Sequence, residues 1–213
     1  MDLEKTTENT TTRMAGDERR LQILQVAMSL FSKNGFAGTT TKKIAEAAGV
    51  SEATVFKHFA NKEELYADIL DHKACNHGLE NPFEEITAEL AAKDDFGVFY
   101  GMAVNAFKHH KKDRHLMRLL LHSALEGHDL AKMFFESYVT VLVEFLSNYI
   151  RQRQEDGVFR EIEPKIVVRA FIGMIIHHSL SNTLWDKEQK LLKVSDEKAA
   201  TEFANILLKG IQK

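Results

Sequence analysis

Between Thr40 and Lys62 the chain sets out hydroxyl, basic and methyl-bearing side chains at helical spacing. Glu52, Ala53, Thr54 and Lys57 fall where a short helix would leave them exposed, and they carry the chemistry of base-edge recognition. The methyls of Ala53 and Thr54 suit thymine methyl groups, and the Lys57 ammonium suits the guanine acceptors. Thr40, Lys42, Lys43, His58 and Lys62 sit at helix ends, facing the path of a nucleic-acid backbone. Backbone contacts of that kind fix register, and base contacts give sequence.

Three helices must hold these residues. Thr40 is placed to cap a helix over 41–48, and Ser51 to cap one over 52–58. Between them Gly49-Val50-Ser51 must turn sharply, and glycine takes a positive φ without a Cβ clash. Ile44, Ala45, Ala48, Val50, Val55 and Phe59 are the apolar positions that can close the unit, and Ala45 is small enough for a close crossing. This is the layout of a helix-turn-helix, whose second helix enters the DNA major groove. A helix over 17–34, with Leu21, Leu24, Ala27, Met28 and Phe31 on one face, supplies the third wall. Asn61, with Glu64 three residues on, caps a further helix through Leu65 and Ile69 towards Cys75. That helix is the expected mechanical link to the rest of the chain. Threonine-rich residues 1–16 read as a disordered tail.

Net charge over the 213 residues is −3, which excludes a uniformly basic protein. The distribution is more informative: residues 13–65 carry eight Lys or Arg against six Asp or Glu, or +2, while 1–12 sum to −2 and 66–213 to −3. The one cysteine, Cys75, excludes an internal disulfide and fits a cytoplasmic location. The most apolar run, AFIGMIIHHSL, is broken by two histidines and is far short of the roughly 20 residues a span needs, so no membrane association is expected.

Downstream the pattern is helical throughout, with no alternating strand signal, so the expected fold class is all-α. Helices are expected over 83–92, 95–111, 114–126, 129–156, 164–185 and from Ser195 onward, with Gly127, Gly157 and Pro164 as punctuation. The 164–185 helix is apolar nearly all round and should be buried on every side.

The residues Arg20, Ile23-Leu24, Leu30-Phe31, Gly35, Thr39-Thr40, Ile44-Ala45, Ala48-Gly49-Val50-Ser51, Thr54-Val55-Phe56, His58-Phe59 and Lys62-Glu63 with Leu65 together resemble the TetR family of bacterial transcriptional regulators. The resemblance covers about residues 19–70. It implies a DNA-binding domain over 17–62 and a helical ligand-binding and dimerisation domain over 63–213. It implies phosphate contacts from Thr40, His58 and Lys62. Two positions depart from the family pattern. Phe56 stands where a tyrosine usually binds phosphate, which removes one hydrogen bond worth about 1 kcal/mol, and Lys43 stands where an acidic residue is frequent.

The resemblance also implies a homodimer on a double-stranded operator, built on the last two helices, with Ile172, Ile176, His177, Phe203, Ile206 and Leu207 at the two-fold interface. It implies a small-molecule effector site in the middle helices. Phe99, Met102, Phe107, Met117, His122, Met133, Phe134, Tyr138, Phe171, Met174 and His178 are candidate liners, since aromatic and methionine side chains suit a largely apolar ligand. The same stripes are also what a core looks like. His72 and Cys75 are three apart, but the histidines show no metal-ligating period, and neither metal nor cofactor is expected. No phosphate loop, nucleophile elbow or paired-carboxylate motif supports an enzyme. The expected function is a repressor released from a palindromic operator by a ligand. A helical interaction module without inducer, an activator and an enzyme are the rival readings.

Overall fold

The computed structural model describes residues 3–76, 83–127 and 129–213. They fold as helices, with one isolated bridge, Phe159 to Gln212, and no strand among the described residues. The chain packs as two compact units, Met1–His77 with His115–Phe134, and Gly78–Arg114 with Phe135–Lys213. The sequence reading put its boundary after Lys62; the amino-terminal unit as folded also contains 63–77 and 115–134.

In the first unit α1 spans Leu3–Asn34, starting upstream of the expected Asp17. No proline interrupts residues 3–34, so the backbone ladder has no forced start at Asp17. α2 (Thr41–Ala48) and α3 (Glu52–His58) have the expected bounds. Gly49 between them has φ +67°, the left-handed conformation that terminates α2. α4 spans Lys62–Asn76, α7 Arg114–Glu126 and α8 Asp129–Phe134. Ile23, Leu24, Ala27 and Phe31 of α1, Ile44 and Ala45 of α2, Val55 and Phe59, and Leu65, Tyr66 and Ile69 of α4 are all buried.

Two contacts tie the recognition unit to its frame. Gln22 Nε2 donates to the Ala48 carbonyl at 3.0 Å, satisfying the end of α2 from α1. Arg20 pairs with Asp68 of α4 while its guanidinium lies 4.7 Å over the Phe59 ring. Asn61 Oδ1 accepts from Glu64 N–H at 2.7 Å, as expected, but Glu64 reaches back to the Ala60 N–H.

In the second unit a 3₁₀ turn (Glu84–Ile86) leads into α5 (Thr87–Ala92) and α6 (Asp95–Lys112). The helix expected unbroken over 129–156 is instead α8, a π-helical turn over Phe135–Val139, and α9 (Thr140–Glu155). The spacing explains the wide turn. Leu130, Phe134, Tyr138, Leu142, Leu146 and Ile150 recur strictly every four residues. Five such steps take 20 residues, against about 18 for five α-helical turns, so the stripe drifts off its face unless one turn widens. α10 spans Pro164–Leu180, ends in a second π turn (Ser181–Trp185), and α11 spans Asp196–Ile211. α6 packs against both α10 and α11, and α9 against α10. Phe99, Met102, Phe107, Ile150, Phe171, Ala204 and Leu207 are among the core residues.

At one end of α6 the buried Asp95 carboxylate accepts two bonds from Arg153, at 2.8 and 2.9 Å, and one from the Tyr149 hydroxyl at 2.6 Å. Burial, with Asp95 beside it, pushes the Tyr149 hydroxyl up, and the bonds to Asp95 hold Arg153 in its charged form. α10 is not covered on every side within the chain. Val167, Val168, Phe171 and Ile175 face the core, while Ile166, Ala170, Gly173 and Ile176 form an exposed apolar row.

Candidate nucleic-acid interface

The recognition unit is built by local chemistry. Thr40 Oγ1 accepts from the Lys43 N–H at 3.2 Å, and Ser51 Oγ accepts from the Thr54 N–H at 3.1 Å, so each helix start is satisfied by its own cap. Val55 and Phe59 point inward, leaving Glu52, Ala53, Phe56 and Lys57 exposed on the other faces of α3. Lys57 and Lys42 are exposed, and among the described residues neither forms an ion pair. Phe56 is 47% exposed, an uncovered aromatic on the same short helix. His58 is half-buried; burial and the neighbouring Lys57, Arg20 and Arg19 hold its pKa below the ordinary value, so it is largely neutral at pH 7.

Besides Thr40, four expected contact residues have side chains already engaged, the first being Thr54, whose Oγ1 lies 2.8 Å from Ser51 Oγ. Glu52 accepts from the Thr41 hydroxyl, which fixes α2 against the start of α3 and uses the carboxylate the sequence reading offered to a base. Lys43 donates to the Gly38 carbonyl at 3.0 Å. Lys62 departs furthest from expectation. Its ammonium donates to the Phe36 carbonyl at 3.0 Å and the Thr39 carbonyl at 3.1 Å, and sits 3.9 Å over the Phe36 ring. An ammonium has three donors, and two of them are spent on these carbonyls while the charge rests against the ring.

The expected effector liners are divided between the two units. Met117, His122, Met133 and Phe134 belong to the first unit. Phe99, Met102, Phe107, Tyr138, Phe171, Met174 and His178 belong to the second. There Phe99, Phe107 and Phe171 are fully buried in edge-to-face ring contacts and Met102 is core; their stripes serve packing. Open space is found towards the end of α10. A groove of about 550 Å³ is lined by Met174, His177, Trp185, Leu191, Leu192 and Phe203 among others. It shares His178 and Asn182 with a polar recess of about 190 Å³ that also meets His110, Arg114, Lys187 and the pair of Lys111 with Asp196, 2.7 Å apart. Asn182 Nδ2 and His178 Nε2 are 3.0 Å apart, and His110 Nδ1 and Ser179 Oγ 2.8 Å. Burial holds both imidazoles below their ordinary range, His110 down to about 4. The basic rim of this recess went unnoticed in the sequence because its lysines and arginine are scattered over 111–187.

Of the expected interface residues, Ile176, His177 and Ile206 are exposed, Ile172 and Phe203 half-buried. Leu207 is buried in the core of its own unit, since it lies on the face of α11 that packs on α6, and it is not a surface residue. Trp185, Leu191 and Leu192 are exposed apolar residues that helical periodicity alone did not single out. Among the described residues no group of three His, Cys, Asp or Glu could hold a metal, and no helix is long and apolar enough to cross a membrane. The side chain of Cys75 lies outside the described residues.

The helix-turn-helix geometry has known counterparts. The model for bacterial regulatory proteins of the tetR family matches residues 23–69. YvkB of Bacillus subtilis, an uncharacterized HTH-type transcriptional regulator, is 30% identical over 193 residues, covering 89% of this chain and 95% of its own. The chain belongs to the TetR family. Two solved structures share the fold. AibR, in complex with isovaleryl coenzyme A and operator DNA, superposes with a TM-score of 0.65 at 22% identity, over 89% of this chain and 98% of its own. KstR2 of Mycobacterium tuberculosis, a ketosteroid transcriptional regulator, gives a TM-score of 0.62 at 21% identity, over 92% and 95%. The TetR relatives are transcriptional regulators rather than enzymes.

Proposed function

We propose that this chain is a homodimeric repressor in the bacterial cytoplasm, bound to a palindromic operator and released from it by a small molecule. The observation that carries the DNA-binding part is α3, held by two capped turns with Ala53, Phe56 and Lys57 uncovered and Lys57 in no ion pair among the described residues. Thr40, Lys42 and His58 flank it as backbone contacts. One seven-residue helix reads few base pairs. A two-fold pair of such helices, about 34 Å apart, reads two half-sites one turn apart. The exposed apolar rows Ile166–Ala170–Gly173–Ile176 on α10 and Ile206 on α11 support a dimer face there, because uncovered apolar rows of that kind mark interfaces.

The effector reading rests on TetR relatives and on the shape of the second unit. AibR was crystallised with isovaleryl coenzyme A. Here the apolar groove and the basic-rimmed recess meet at His178 and Asn182. That arrangement fits a molecule with an apolar body and an acidic end. Its occupancy would bear directly on the neighbouring dimer face, shifting the population between two dimer states.

Purified protein should shift a duplex selected from a randomised pool, with affinity falling steeply as salt rises. A two-fold symmetric footprint is expected. Binding that is indifferent to salt and to Lys57→Ala refutes the regulator reading. A thermal-shift screen of medium-chain carboxylates and their coenzyme A thioesters should find a compound that also releases DNA. Compounds that bind at the recess and leave DNA affinity unchanged would point to a module without an inducer.

A further inference from the structure

The α1–α2 turn is held from two helices at one residue. The Phe36 carbonyl accepts from Lys62, the first residue of α4, at 3.0 Å. The Phe36 N–H donates to the Glu126 carboxylate, the last residue of α7, at 3.0 Å. The ring of Phe36 is fixed as well. It lies 5.0 Å from Tyr66 of α4 and 5.8 Å from Phe31, beneath the Lys62 ammonium.

The turn itself is shaped to receive the carboxylate. Gly35 has φ +72°, the left-handed conformation that favours glycine, and the exposed Glu126 carboxylate rests directly against it, 2.1 Å from where a Cβ would stand. Lys62 also binds the Thr39 carbonyl at 3.1 Å, and Thr39 precedes Thr40, the cap of α2. Any shift of Phe36 or Thr39 therefore moves the first turn of α2.

We propose that Lys62 and Glu126 are positioning residues for DNA binding, which together fix the turn at Phe36 and so set Thr40 and the start of α2 against the phosphate backbone. The inference rests on the DNA-binding reading above. It assigns Lys62 a different role from a phosphate contact, and gives Glu126, an acidic residue 90 positions from Phe36, a part in binding an anion.

The two charges give tests of opposite kind. A lysine that contacts phosphate contributes about 0.9 to the slope of log K against log salt. A lysine that only positions the turn contributes none. Lys62→Met should weaken binding about tenfold with the slope unchanged, and Lys62→Arg, which can still donate to both carbonyls over the ring, should restore most of the loss. Removing a carboxylate from a DNA-binding unit ordinarily tightens binding by relieving repulsion. Glu126→Leu should instead weaken it, about fivefold, while Glu126→Gln, which keeps an acceptor for the Phe36 N–H, should stay within about twofold of the parent.

The experiment is fluorescence anisotropy of the full chain on a duplex selected with the parent protein, at several salt concentrations. Stoichiometric titration counts the competent protein in each preparation, so poor folding of a variant does not masquerade as lost affinity. A slope lower by about one for Lys62→Met, or a Glu126→Leu variant that binds as tightly as the parent or tighter, overturns the proposal. Either result leaves DNA binding by the parent standing. A parent protein that binds no duplex overturns both readings.

Discussion

Replacing Arg153 by methionine tests how the second unit is held together. Asp95 and Arg153 are each only 9% exposed. Arg153 gives the carboxylate two N–H bonds, at 2.8 and 2.9 Å, and its third bond, at 2.8 Å, goes to the more exposed Asp156. With Arg153 gone, Asp95 keeps only the Tyr149 hydroxyl among these partners, and a buried carboxylate loses its counter-charge. Breaking a buried pair from one side costs about 3–5 kcal/mol, mostly the penalty of the stranded charge. For a chain of this length that is a fall in Tm on the order of 10 °C. Lys165→Met is the control. Lys165 pairs with Glu144, but both side chains are about half exposed, and such pairs contribute less than about 1 kcal/mol. Adding Asp95→Asn to Arg153→Met removes the stranded charge and should recover more than half of the loss. Scanning calorimetry reads all of these. An Arg153→Met variant melting within about 2 °C of the parent refutes the reasoning, as does a double variant no more stable than the single.

Burial holds His110 at about 4 against an ordinary 6.5, so between those pH values the unfolded chain binds a proton that the folded chain does not. Stability is therefore complete above pH 6.5 and is lost as pH falls towards 4, by about 2 kcal/mol at pH 5; urea titrations of His110→Phe should show a flatter profile there, and an unchanged profile counts against it. Lys57→Ala should lose about 1–3 kcal/mol of operator affinity and relax selection at one base pair in each half-site; uniform weakening on all sequences would move Lys57 to the phosphates. Ile206→Glu places a charge on the exposed row of α11 and should sediment as a monomer with little operator affinity; a variant that stays dimeric removes α11 from the interface.

What was legible in the sequence was what short-range chemistry decides. The bounds of α2 and α3 follow from Thr40, Gly49 and Ser51, each acting on backbone within about four residues. A stripe spaced by four also runs through the wide turn at Phe135–Val139, so the break in the expected 129–156 helix is local to the chain. Other features depend on partners far along the chain. Asp95 is an acidic residue in the first turn of a helix, and nothing near it in sequence announces Arg153, 58 residues on. Phe99 and Phe171 looked as suitable for a ligand as for each other; only their ring centroids, 5.2 Å apart, decide for packing. Leu207 sits one residue from exposed Ile206, and on a helix one residue turns the side chain by about 100°.

Lys62 shows why a motif can be right about place and silent about partner. Its position at the start of α4 was expected, and a lysine there has enough reach to meet either a phosphate or the turn behind it. The choice is made by the Phe36 and Thr39 carbonyls, which lie 26 and 23 residues away in sequence and 3.0 and 3.1 Å away in space. The Phe36 carbonyl also accepts from the Thr39 N–H at 3.3 Å, so Lys62 adds a second, charge-assisted donor there and another at the carbonyl of the buried Thr39. The same reasoning limits how an effector can work. A ligand changes DNA affinity only through a difference it senses between two states. Because α4 and α7 both end on Phe36, a displacement of either one changes a hydrogen bond to the residue that leads into the cap of α2. Under the proposed function, a regulatory state need not unfold or re-aim α3; a shift at this one turn would move Thr40 and the start of α2.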